Sequence, residues 1–372
     1  MTITEVKNAL DQKDFLDTAR IIYKDDPNWI CPLDQDIEAV FDPNSNSFHQ
    51  HGVCTRWILK SVDGQLIGRV AAFINEKKAY QYEVPTGGMG FFECIDDQKA
   101  ANLLFDTAKN WLSEKGMKAM EGPINFGEND TFWGLLAEGF TPPSYGMNYH
   151  GSYYQKLFKH YGFSTQYEQI TNHLDLTKPF PERFTKIAEW VANKPGYRFE
   201  CLKASEIDRF AQDFMEIYND AWRDFKNFVP LEKQVVMESF EKMKAIMDEK
   251  LIRFAYVDDE PASFVVILPD ANQFIKSFNG KLGLWQKLQF AYQRWRGVSR
   301  MRAIVMGTKK AFQKHGLESA LFIELKKYVM PKKQYQELEL SWVGDFNDKM
   351  IAIHQATGAT FGKRHLTMLK VF

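Results

Sequence analysis

Twice along this chain an antiparallel hairpin pattern is followed, in the same order, by a strand, a helix, a strand and a helix. That repeat of element order constrains the fold more than any other feature. In the first copy, Arg56–Ser61 and Leu66–Ile74 read as strands around an Asp63-Gly64 turn. Met89–Ile95 reads as a third strand. Asp96-Asp97 then cap a helix whose apolar positions Ala101, Leu104, Phe105, Ala108, Trp111 and Leu112 recur at helical spacing, with Gly116 as its stop. Lys118–Met120 starts the next strand, and a short helix over Ser152–Tyr161 ends at Gly162. In the second copy, helices over Ser205–Trp222 and Leu231–Met247 precede a hairpin of Leu251–Val257 and Ser263–Leu268. Arg302–Gly307 is its third strand, Leu317–Tyr328 its helix and Glu337–Trp342 its fourth strand. A helix over Asp348–Gln355 and closing strands over Phe361–Phe372 complete it. Strand–helix–strand alternation after an antiparallel hairpin predicts α/β architecture of the α+β type, a mixed sheet with helices on its faces. Pro179 and Pro181 place the boundary near Thr177–Glu182, giving spans 1–178 and 179–372.

A chain of 372 residues is long enough for two such units. Its net charge of −1 argues against a wholesale nucleic-acid binder. Cys31, Cys54, Cys94 and Cys201 are scattered, with no C-x-x-C pair, as expected in a reducing, cytoplasmic setting. No apolar run approaches the ~20 residues of a spanning helix. His49, His51 and Cys54 lie close together but lack a matched carboxylate, so no metal is expected.

The sharpest local signal is the run from Met306 to Leu321, where a strand enters a loop holding Gln313 and Gly316 and then an amphipathic helix. Such a turn aims backbone N–H groups and a helix N-terminus at an anion. Lys309, Lys310 and Lys314 add positive charge. Between Asp270 and Glu318 there is no acidic residue, and Trp285, Phe290 and Trp295 interleave with lysines and arginines. That composition suits an interface helix on anionic lipid, a polynucleotide groove, or a core-packed helix with a solvated basic face.

The loop is similar to the signature of GNAT acyltransferases, in which a strand, Arg/Gln-x-x-Gly-x-Gly/Ala and a helix cradle the pyrophosphate of coenzyme A. Gln313 and Gly316 match, whereas Glu318 stands where a small residue is expected. The order of elements resembles two GNAT-like halves in tandem, the first lacking the Gln-x-x-Gly loop and so degenerate for coenzyme A. Gly122-Pro123-Ile124-Asn125, Glu128-Asn129, Asn219-Asp220-Ala221-Trp222 and Glu339-Leu340-Ser341-Trp342 further resemble the group that includes the bacterial ceramide synthases. The resemblance implies coenzyme A contacts at Met306, Gly307, Thr308, Gln313, Lys314, Gly316, Ser319 and Asn347. It implies acceptor contacts at Asn125, Glu128, Asn129, Trp222 and Trp342. His354 stands where many GNAT enzymes hold a tyrosine that protonates the departing thiolate, and Glu339 or Asp345 could take a proton from an ammonium nucleophile.

The expected activity is transfer of an acyl group from acyl-CoA to an amine, with a lipid long-chain base as candidate acceptor and a peripheral contact with anionic membrane on the inner face. Two other readings remain open here: a tRNA-dependent aminoacyltransferase of the Fem type, and a non-catalytic acyl-ligand binding protein.

Overall fold

The computed structural model describes residues 1–224, 230–332 and 334–372. The first copy of the repeat runs β1 (Thr2–Glu5), α1 (Ala9–Ile22), α2 (Asp34–Phe41), β2 (Gly52–Lys60), β3 (Leu66–Asn75), the single turn α3 (Glu76–Ala79) and β4 (Thr86–Cys94). It continues through α4 (Gln98–Glu114), β5 (Ala119–Gly122), the short β6 (Leu135–Glu138), α5 (Tyr154–Tyr161) and β7 (Ser164–Asp175). The second copy begins with α6 (Glu182–Ala192), β8 (Tyr197–Cys201), α7 (Ile207–Trp222), α8 (Lys233–Met243), β9 (Ile252–Val257), β10 (Glu260–Pro269) and the short α9 (Ala271–Ile275). It ends with α10 (Leu284–Arg296), β11 (Arg300–Thr308), α11 (Leu317–Val329), β12 (Glu337–Gly344), α12 (Asp348–Ala356) and β13 (Thr360–Val371).

The local signals act as their chemistry dictates. Gly64 turns the β2–β3 hairpin with φ +79°. The Asp97 side chain accepts from the first-turn N–H groups of α4, and Gly162 ends α5 in the left-handed region. The mixed α/β sheet read from the sequence is present, and it is continuous across both copies, in the order β1-β2-β3-β4-β5-β13-β7-β12-β11-β10-β9-β8. Each copy lays its last strand into the other. β13 pairs antiparallel with β5, and β7 pairs antiparallel with β12, while β7 and β13 pair with each other along the centre. Among the described residues only β4–β5 and β11–β12 are parallel.

Apolar helix faces cover the sheet. Phe92, Leu104, Phe105 and Phe158 centre the first core. In the second copy α6 and α11 pack on one face around Leu321 and Leu325, and α7 and α8 on the other around Phe210 and Phe254. Among the described residues no helix is long and apolar enough to cross a membrane.

Candidate functional site

Both parallel pairs hold together for three residues and then part. β4 and β5 pair over Thr86–Gly88 and Ala119–Glu121, and β11 and β12 over Arg300–Arg302 and Glu337–Glu339. Diverging parallel strands leave a wedge lined by backbone groups, a recurrent ligand position in α/β sheets. The first wedge is filled by the chain itself. The Ile124 N–H donates to the Met89 carbonyl at 2.9 Å, and a Cβ on Gly90 would overlap the Ile124 carbonyl. In the second wedge the Ser341 hydroxyl donates to the carbonyls of Ala303 and Ile304, and Ile304, Ser341 and Trp342 open onto a cavity of ≈ 710 Å³.

That cavity lies between the two copies of the repeat. Asn129, Asp130 and Thr131 from the first copy line it, and the Trp342 indole donates to the Asn129 carbonyl at 3.3 Å. Its wall is mostly apolar, with side chains such as Leu268, Ile275, Leu282 and Phe290, and also holds the charged Asp270, Lys287 and Arg302. Two of the residues singled out for acceptor contacts, Asn129 and Trp342, therefore meet on its wall. Trp222 lies on the wedge, where a Cβ on Gly307 would come within 2.6 Å of its ring. Asn125 is buried, with Nδ2 3.4 Å from the Thr131 hydroxyl. Glu128 is exposed and paired with Lys78 at 3.3 Å.

Beside the wedge, the N-terminus of α11 differs from that of α4 in a way that bears on anion binding. Asp97 closes α4 with its own carboxylate, whereas Gly316 begins α11 at φ +79° and no side chain caps it. Lys314 is also held in the left-handed region, at φ +73°. Glu318, which the sequence places against any bound phosphate, accepts from the Thr308 hydroxyl at 2.8 Å. Gln313 reaches the Thr308 carbonyl and accepts from Lys349 at 2.7 Å. Uncapped N–H groups and a positive helix end fit a pyrophosphate. The neighbouring lysines are partly engaged, Lys309 by Glu260 at 3.1 Å and Lys310 by Asp224. Ser319 lies in the first turn of α11, and Met306, Gly307 and Thr308 form the β11 side of the wedge. Asn347 caps α12, accepting from the Met350 N–H.

The proton-transfer candidates lie apart from the cavity lining. Glu339 is buried between Lys363 and His173, each 3.3 Å away, with the Arg302 Nε at 3.9 Å. Burial opposes its ionisation, but the His173 bond and the charges of Lys363, Arg302 and Arg300 prevail and hold its carboxyl far below the usual range. A carboxylate held this firmly is a poor proton acceptor. His354 is buried on α12, 3.1 Å from the Asn172 amide, and burial pulls its imidazole down to about 4, so it is neutral near pH 7. Asp345 is exposed at the end of β12.

Sequence reasoning passed over Glu121. It sits on β5, buried, accepting from the Tyr82 hydroxyl at 2.9 Å, and burial pushes its carboxyl up to about 7. No spacing pattern marks it, because the desolvation comes from packing. A carboxyl raised from 4.5 to about 7 adds stability below pH 4.5 that is lost as the pH climbs through 7. Glu121→Gln keeps an acceptor for Tyr82 and does not titrate. It should match the wild type near pH 4 and exceed it by about 3 kcal/mol at pH 8, read by urea unfolding at both pH values.

The fold is that of the tandem GNAT proteins. A tandem GNAT protein from the clavulanic acid biosynthesis pathway superposes with a TM-score of 0.58 at 12% identity, covering 100% of this chain and 98% of that one. A GCN5-related N-acetyltransferase from Sphaerobacter thermophilus gives 0.53 at 9% identity over 99% and 95% of the two chains. In sequence the chain is similar to a bacterial ceramide synthase of Caulobacter vibrioides, 29% identical over 98% of this chain and 96% of that protein. It is also similar to the protein YghO of Escherichia coli, 28% identical over 96% and 92%. No protein-family model matches the chain.

Proposed function

We propose that this chain is an acyl-CoA-dependent N-acyltransferase whose acceptor is a long-chain amine at a membrane surface. The observation that carries the reading is the open wedge between β11 and β12 running into the ≈ 710 Å³ apolar cavity. The wedge and the uncapped start of α11 suit a coenzyme A thioester, which supplies an activated acyl carbonyl. The similar ceramide synthase adds support for a lipid acceptor, since a ceramide is the amide of a fatty acid and a long-chain base.

The acceptor's alkyl chain would lie along Ile275, Leu282 and Phe290, and its ammonium head near Asp130. Asp130 is exposed and can take the ammonium proton directly or through water. The free amine attacks the thioester carbon, the C–N bond forms, the C–S bond breaks, and the thiolate takes a proton from solvent. Backbone N–H groups on the unpaired edge of β11 near Met306–Thr308 would steady the oxyanion. In this assignment Glu339 fixes the β12 side of the wedge, and neither His354 nor Asp345 transfers a proton. The first copy would serve as the acceptor wall and not as a second coenzyme A site, because Asp97 and the 122–126 segment occupy the equivalent positions.

The polynucleotide reading loses ground on the same geometry. Arg300 and Arg302 of the basic stretch are buried, the first against Asp270 at 2.6 Å and the second bonded to the Tyr145 carbonyl. Incubating the purified chain with palmitoyl-CoA and a detergent-dispersed long-chain amine should release free thiol and yield the amide by mass spectrometry. Absence of both products across amine chain lengths overturns the proposal.

A further inference from the structure

We propose that α10 is a docking helix that seats the mouth of the cavity on an anionic bilayer. This inference rests on the reading of the cavity as a lipid-acceptor site. Helix α10 spans 13 residues, about 20 Å, and none of its residues is buried. Its apolar residues are not scattered. Leu284, Trp285, Leu288, Tyr292 and Trp295 fall within one ~100° stripe of a helical wheel, and all five are exposed, Trp285 at 67% and Trp295 at 81%. The stripe therefore faces outward, the reverse of an ordinary surface helix. Two tryptophans on one exposed helix face, with a third aromatic between them, match the interfacial level of a bilayer, where amphipathic rings partition.

Charge selects the bilayer over other apolar occupants. Lys281, Lys287, Arg294 and Arg296 lie on or beside α10 and are exposed. No carboxylate lies between Asp270 and Glu318, and Asp270 itself is consumed by Arg300. Exposed positive charges around an apolar stripe complement anionic headgroups. The inner face of the same helix gives the arrangement its use. Phe290 packs on Phe274 with ring centroids 5.2 Å apart, and Lys287 and Phe290 line the cavity. One side of α10 would thus meet the membrane while the other walls the acceptor site, so a lipid amine leaving the bilayer reaches the cavity without crossing bulk water.

The test is flotation of the full chain with phosphatidylcholine vesicles, with and without phosphatidylserine, alongside Trp285→Ser/Trp295→Ser and Lys281→Glu/Arg296→Glu. Wild type should float with the anionic vesicles. Binding should fall at least about tenfold in each double variant, and as salt rises from about 0.1 to about 0.5 M. Acylation of a detergent-dispersed amine should be unchanged in both variants, which shows that they fold. Three results overturn the docking: wild type staying in the soluble fraction at low salt, the tryptophan variant binding as well as wild type, or a wild-type dimer in gel filtration that the tryptophan variant abolishes. Amide formation without flotation overturns docking alone. Flotation without amide formation leaves docking standing and overturns the acyl-transfer reading.

Discussion

Replacing Glu339 with alanine is expected to destabilise the chain by about 3–5 kcal/mol at neutral pH. The carboxylate is 1% exposed, and so is Lys363, whose ammonium lies 3.3 Å from it. Removing the anion leaves Lys363 buried without its counter-charge and takes a partner from His173 and Arg302. The loss follows from desolvation, so it should shrink in Glu339→Ala/Lys363→Met, where both charges leave together. The pH dependence has a definite sign. A carboxyl held below its ordinary 4.5 contributes stability above that value and loses it as the pH falls further. The gap between wild type and Glu339→Ala should therefore be full at pH 7, begin to narrow below 4.5, and close only as the pH falls through the far lower folded-state value. Urea unfolding of the three proteins at pH 7 and at about pH 2.5 checks each point. A single variant with wild-type stability and no activity would return Glu339 to the role of proton acceptor.

The position of Glu339 also shows where the sequence was legible. Strands β9 to β12 and helix α11 carry apolar periodicity and clear turn residues, because each has one apolar face on a core. Strand β7 carries no such pattern. It lies between β12 and β13, and its buried residues include Gln169 and Thr171, with the Thr367 hydroxyl donating to Gln169 at 3.1 Å. A polar central strand of this kind is specified by its partners, and the partners come from almost two hundred residues away. The same holds for the exchange of last strands, which no local signal encodes. Helix α2 was hidden in a Pro- and Asp-rich stretch, and α6 and β8 followed the expected boundary unannounced. The loop proposed to bind the anion was legible because Gly316 and Gln313 sit at fixed offsets from a strand and a helix. The cavity was not, since its walls are gathered from Leu33, Asn129, Ile246, Phe290 and Trp342. The basic stretch was read as one segment, yet the structure divides it: Arg300 and Arg302 enter β11 and are buried, while Lys281 to Arg296 remain on the surface.

Gly316→Val should lower acyl-CoA affinity at least about tenfold while leaving the fold intact, and this is the most direct test of where the thioester binds. Gly316 stands at φ +79°, a region that costs an L-residue about 1–2 kcal/mol and disfavours β-branched side chains most. A new Cβ would also meet the Val191 methyl at 3.0 Å, so α6 must give slightly or the turn must rotate. Either response swings the first N–H groups of α11 away from their common direction. A helix terminus capped by its own carboxylate would tolerate such a swing, as α4 does not depend on a ligand to satisfy its first turn. The start of α11 has no such cap, and a pyrophosphate there would lose several charge-assisted bonds together. Stability should fall by only about 1–2 kcal/mol, which thermal unfolding without ligand can confirm. Calorimetric titration with palmitoyl-CoA then gives the decisive comparison. Equal affinity in wild type and Gly316→Val places the thioester elsewhere, and the wedge between β11 and β12 would lose its claim to be the acyl-transfer site.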